Sequence, residues 1–127
     1  MSKPPRPTDG ELEILRVLWE RGPSTVRQIH EILMDTRATG YTTILKLLQI
    51  MTDKRLVLRD ETERTHVYRA RLTEGETQRQ LVGHLLDRAY GGSASKLVVQ
   101  ALAARKASPQ EIEEIRRLLR ERRGGTR

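Results

Sequence analysis

A mainly α fold carrying one small β-hairpin is predicted by three observations. Apolar residues recur at three- and four-residue spacing through most of the chain, as amphipathic helices require. Ser or Thr followed three residues later by Glu or Gln occurs at Thr8/Glu11, Thr25/Gln28, Thr73/Glu76 and Ser108/Glu111, each a helix-start signature. Between the third and fourth predicted helices the period changes. There "RLVLRD" and "THVYRA", rich in β-branched and aromatic residues, flank the polar turn "ETER", which reads as a hairpin.

Residues 1–7, "MSKPPRP", read as a Pro-rich basic arm, disordered before Thr8. The Thr8/Glu11 box opens a first helix with Leu12, Leu15, Leu18 and Trp19 at helical spacing, and "RGP" at 21–23 ends it. A shorter second helix starts at Thr25 and turns Val26, Ile29 and Leu33 inward. "DTRATG" then leads into "GYTTILKLLQIMTDKRLV", a third helix that Tyr41 or Thr42 is expected to cap. Three helices followed by a hairpin is the winged helix-turn-helix order, so residues 1–72 are expected to form a winged helix-turn-helix DNA-binding domain.

Residues 73–127 read as three more helices and a basic tail. Pro109 suits the first turn of the last helix, and "GGS" at 91–93 separates the first two. Their stripes contain Leu81, Leu85 and Leu86, then Leu97 and Leu102, then Ile112, Ile115 and Leu119. Three short amphipathic helices bury such stripes poorly alone. A homodimerisation domain is therefore expected, with packing back onto residues 1–72 in a monomer as the alternative.

The net charge of +7 favours a negatively charged partner, nucleic acid before membrane. The basic excess is shared by the two halves, so charge alone does not locate the site. One Trp, three Tyr and no Phe argue against single-stranded nucleic acid, which is bound by stacking on aromatic rings. The absence of cysteine excludes disulfides and thiolate metal sites. No apolar run approaches the ~20 residues of a membrane span, and the N-terminus lacks an apolar signal core. A cytoplasmic protein is expected.

On the third helix Ile44, Leu47, Leu48 and Met51 share one side, and Thr42, Lys46, Gln49 and Asp53 the other. Thr42 and Thr43 at its start can donate to phosphate oxygens or touch a thymine methyl. Lys46 and Gln49, one turn on, suit guanine acceptors and adenine respectively. Lys54 ends the same helix and completes its candidate contacts. Asp53 would repel phosphate. On the hairpin, Arg64 and His66 are the candidate backbone contacts, with Arg59 and Arg69 behind them.

Catalysis finds no foothold. His30, His66 and His84 have no metal-ligand spacing, His30 suits half-buried packing, and neither a P-loop nor a G-x-S-x-G motif is present. "GGSAS" follows a helix and reads as a cap and turn. No enzyme activity, cofactor or metal is expected.

The segments "PTDGELEILRVLWERGPSTVRQI", "YTTILKLLQIMTDKRLV", "RTHVYRA" and "YGGSASKLVVQAL" together resemble the penicillinase-repressor family over roughly residues 7–120. The resemblance implies a winged-helix domain, a helical dimerisation domain, and a homodimer that represses transcription at a palindromic operator. It implies that the helix over Thr42–Lys54 enters the major groove, with Thr43 and Lys46 on its reading face. Arg55 departs from the family, which usually has Gly there. Gly suits a left-handed cap, so Arg55 is expected to cost on the order of 1 kcal/mol or to change the turn, with an added phosphate contact as the alternative reading of this residue.

The Cys-rich motif of the copper-responsive branch is absent. In the β-lactam-responsive branch a membrane metalloprotease sensor leads to cleavage of an Asn-Phe bond in the dimerisation domain. By position the corresponding bond is Gln100–Ala101, where both residues differ. Two alternatives accompany this reading: a winged-helix protein-interaction adaptor, and a repressor released by a small ligand held among residues 73–120. No cluster of polar groups in that segment favours the second.

Overall fold

Thr8 starts the first helix, α1 (Asp9–Arg21), through a complete capping box. Its hydroxyl accepts from the Glu11 amide while the Glu11 carboxylate accepts from the Thr8 amide. Gly22, at φ 87°, ends the helix in a backbone conformation that glycine adopts without a Cβ clash. The computed structural model describes residues 4–36 and 39–125, with side chains to Arg122.

Strand β1 (Ser24–Thr25) leads directly into α2 (Val26–Met34), and Thr25 caps that helix through a second box with Gln28. The third helix, α3 (Tyr41–Asp53), starts differently from the sequence expectation. Gly40 occupies its N-cap and no side chain caps it. Gly is tolerated there because the cap residue needs only extended backbone. The first-turn amides of α3 therefore have no side-chain acceptor.

Strands β2 (Val57–Asp60) and β3 (Val67–Ala70) form the expected hairpin. The sheet has three strands in the order β1-β3-β2, all antiparallel, because Ser24 and Thr25 pair with Tyr68 and Val67. Further helices follow: α4 (Glu74–Ala89), α5 (Ala94–Ala104) and α6 (Pro109–Gly125). The Thr73/Glu76 and Ser108/Glu111 boxes both form. Ser93, read from the sequence only as part of a break, caps α5 by accepting from the Lys96 amide.

Ile14, Leu15, Val17 and Leu18 of α1 meet Val26, Ile29 and Leu33 of α2 and Ile44, Leu48 and Met51 of α3. Leu56, Val57 and Tyr68 close the cluster. Burying each large apolar side chain contributes roughly 1.5–3 kcal/mol relative to exposure. This core holds α3 by one face only. Trp19 adds a directional tie, its indole N–H donating to the Leu72 carbonyl at 3.0 Å.

The turn after α3 is a Schellman motif: the Leu56 amide donates to the Met51 carbonyl and the Arg55 amide to that of Thr52. Its left-handed position is Arg55, at φ 66°. The turn is kept and the residue absorbs the strain.

Residues 1–82 and 83–127 form two compact units, and α4 runs through the division. In the first unit, residues 4–7 differ from the disordered arm expected over 1–7. Pro4 and Pro7 are buried, and Gln80 Nε2 donates to the Pro4 carbonyl at 2.8 Å. Residues 1–3 lie outside the described residues. The second unit is built differently, since α5 has no buried residue.

Candidate nucleic-acid interface

With Ile44, Leu48 and Met51 completely buried, the opposite face of α3 must be solvent-facing. Thr42, Thr43, Lys46 and Gln49 are all exposed there, as is Asp53. Tyr41 and Ile50 flank them as exposed large side chains, while Leu45 packs against the core. The short threonines stand beside the uncapped first-turn amides, so one helix end combines hydroxyl donors with free N–H groups. That end suits an anion.

The α2–α3 junction is braced by an edge-to-face contact between His30 and Tyr41, with ring centroids 5.7 Å apart. His30 is half-buried, consistent with a packing role.

Lys54 is placed differently from the rest of the expected DNA-binding set. Its ammonium lies 2.9 Å from both carboxylate oxygens of Glu11, which is 2 % exposed. A buried carboxylate needs such a partner. Lys54 in this structure is thus engaged with α1. Sequence spacing gave no signal of the pair, because the two residues are far apart in the chain.

Arg64 and His66 are exposed at the tip of the β2–β3 hairpin. Two of the nearby acids, Asp60 and Glu61, are occupied locally. Asp60 Oδ1 accepts from both the amide and the hydroxyl of Thr62, which holds its carboxyl below the usual value. Glu61 lies 2.6 Å from Arg59 Nε. Hydrogen bonds to Tyr68 and then to Glu61 hold the Arg59 guanidinium above its usual value. The mixed charge of the tip is therefore partly internal to the turn.

The expected dimerisation residues fall into two groups. Leu81, Leu86, Leu97, Ile112 and Ile115 are half-buried. Leu85, Leu102 and Leu119 are 45 %, 41 % and 64 % exposed. Val82, Val98, Val99 and Leu118 join the exposed apolar side chains. Gln100 and Ala101 are exposed within α5.

Among the described residues no group of three or more His, Asp and Glu is placed to hold a metal ion. Among the described residues no helix is long and apolar enough to cross a membrane.

Similarity to known proteins bears on this arrangement. The transcriptional regulator BlaI of Mycobacterium tuberculosis is 42% identical over 69 residues, 54% of this chain and 50% of that protein. In that match the chain spans about half the relative's length. The penicillinase repressor of Bacillus licheniformis is 26% identical over 121 residues, 95% of this chain and 94% of that one. A solved structure described as the solution structure of the DNA-binding domain of the repressor BlaI superposes with a TM-score of 0.52 at 25% identity. It covers 60% of this chain and 93% of that one. These relatives are named as regulators and repressors rather than enzymes. The profile of the penicillinase repressor family matches residues 7–121, nearly the whole sequence, and the chain belongs to that family.

Proposed function

We propose that the protein is a homodimeric transcriptional repressor that binds a palindromic operator in double-stranded DNA, with α3 of each protomer in a major groove. The observation that carries this reading is α3 itself. One face is locked into the core, and the other presents Thr42, Thr43, Lys46 and Gln49 beside an uncapped helix end. A helix held in this way can enter a groove without unfolding its own support. Lys46 and Gln49 read bases, the threonines contact backbone or thymine methyls, and Arg64 and His66 contact backbone beside them.

Two-fold symmetry places the two α3 helices about one DNA turn, or a multiple of it, apart. The exposed apolar side chains of α4–α6 support a second copy as the covering surface. Separating the copies, by cleavage near Gln100–Ala101 or by other damage to residues 73–120, would release the promoter. A membrane protease sensor acting indirectly fits that scheme.

The test is footprinting on a fragment of the protein's own promoter, with wild type, Lys46→Ala and Arg64→Ala. Lys46→Ala is expected to lose sequence preference, about 1–3 kcal/mol of discrimination. Arg64→Ala is expected to weaken binding to all sequences alike and to lower the salt dependence. Wild-type footprints from both variants would refute the assigned reading face.

A further inference from the structure

Between the end of α3 and strand β2 the surface folds into an open cavity of about 260 Å³, lined by Thr52, Arg55, Arg59, Glu61 and Arg71 among others. Three guanidinium side chains thus share one concavity with one carboxylate. Glu61 is paired with Arg59. Asp60, next along the strand, is turned into its own hydrogen bonds with Thr62. Arg71 has Glu76 nearby, but that carboxylate is engaged with the Thr73 amide in the α4 capping box. Among the described residues no carboxylate is hydrogen-bonded to Arg55 or Arg71. The cavity carries excess positive charge.

Arg55 occupies the left-handed position of the Schellman turn, at φ 66°. The turn itself needs no side chain there, and any Cβ strains it. The Arg55 side chain is exposed, so the strain is offset by the backbone hydrogen bonds of the turn and not by packing of that side chain. What the side chain adds is a guanidinium at the mouth of a cationic cavity.

Position supplies the rest. Thr52 follows Gln49 by one helical turn, and the other wall of the cavity is the strand leading to Arg64 and His66. A helix lying in a major groove has a phosphate strand along each side. A hairpin standing beside that helix must straddle one of them.

We propose that Arg55, Arg59 and Arg71 form a binding site for a phosphate group, and that its occupant is a backbone phosphate of the bound duplex. This rests on the DNA-binding reading above and extends it to a site between the helix and the hairpin. Guanidinium forks match phosphate oxygens bidentately, so the site fixes register without reading sequence.

The experiment uses the full-length protein and two duplexes, its own promoter fragment and an unrelated sequence, titrated across a range of salt. Arg55→Gly is the decisive variant because the two roles of the residue move in opposite directions. It relieves the left-handed strain, so Tm rises, while affinity for both duplexes falls on the order of tenfold and the salt slope drops by about 1 per protomer. Arg71→Gln, which leaves the turn untouched, is expected to lose affinity in the same uniform way. Inorganic phosphate, titrated separately against wild type and Arg55→Gly, tests the free anion as the source.

Wild-type affinity and salt slope in both variants, with wild type binding DNA, overturn the phosphate site and leave the repressor reading intact. Stabilisation of wild type by millimolar inorganic phosphate, lost in Arg55→Gly while DNA binding is unchanged, overturns the duplex as occupant. Failure of wild type to bind either duplex overturns the DNA-binding reading first, and this assignment with it.

Discussion

Lys54 Nζ sits 2.9 Å from each carboxylate oxygen of Glu11, joining the end of α3 to the first turn of α1 across 43 residues of sequence. Oε1 of the same carboxylate also accepts the Thr8 amide. Glu11 is 2 % exposed and the Lys54 side chain 29 %, so the pair is buried at its acidic end. Lys54→Ala would leave that carboxylate without a counter-charge, at a cost on the order of 3 kcal/mol. Replacing both partners, as Glu11→Leu with Lys54→Met, should lose much less, because the desolvation cost disappears with the charge. Urea unfolding followed by circular dichroism measures both. A single variant within about 0.5 kcal/mol of wild type would show that the pair contributes little.

The indole of Trp19 makes a second long-range tie, to the Leu72 carbonyl. Trp19→Phe keeps most of the apolar contact and removes the donor. The expected loss is about 1 kcal/mol, the usual net value of one such hydrogen bond. Circular dichroism is the suitable probe, since the substitution removes the only tryptophan.

Ser93→Ala removes the acceptor for the Lys96 amide at the start of α5. A lost N-cap costs about 1 kcal/mol, and here the loss should stay local, because α5 has no buried residue. Hydrogen exchange should speed up across Ala94–Ala104 while the amides of α1, α2 and α3 keep their protection. Limited proteolysis near Gln100–Ala101 should quicken in parallel. Unchanged exchange in α5 would refute the local reading.

Leu119→Asp tests the dimer with little risk to the fold of one chain, since Leu119 is 64 % exposed. A charge at an apolar interface is costly to desolvate. Under the proposed pairing, wild type should sediment as a dimer and the variant as a monomer. Its DNA affinity should fall because two half-sites are no longer engaged together. A dimer of unchanged strength would remove this face from the interface.

At the hairpin tip, two donors from Thr62 hold the Asp60 carboxyl below its ordinary value of 3.8. A carboxyl depressed in the folded state contributes stability above its unfolded value and loses it as pH falls through the folded one. The tip should therefore loosen only below about pH 3.8. Thr62→Val removes the hydroxyl donor and should move the Asp60 titration upward toward that ordinary value, as carboxyl NMR would record. Coincident titrations in the two proteins would show that the hydroxyl plays no part.

What was legible in the sequence was local. Each capping box involves residues three apart, and each forms. The buried stripe of α3 and its exposed polar face follow from 3.6-residue periodicity, so the exposure of Thr42, Lys46, Gln49 and Asp53 could be read in advance, whereas Thr43 lies beside the apolar side at that spacing. The start of α3 could not, because Gly40 caps it without a side chain and leaves no residue-type signal. Strand β1 also escaped notice. Two residues make no periodicity, and they become a strand only by meeting Val67 and Tyr68. Lys54–Glu11 and the Arg55–Arg59–Arg71 cavity depend on tertiary approach. Glu11 was legible as the third residue of a box, but its second role required the position of α3.

Thr25 belongs at once to the sheet and to α2. Its backbone pairs with Val67 of the hairpin, while its hydroxyl accepts the Gln28 amide that starts the helix. The hairpin therefore cannot swing away without disturbing the helix pair that supports α3. A ligand meeting both parts finds them already preorganised, and ordering a loose element, about 0.5–1.5 kcal/mol for each rotamer-rich side chain immobilised, is largely completed during folding. Binding through this surface should accordingly resemble rigid docking, and two residues of strand ahead of a helix are enough to make it so.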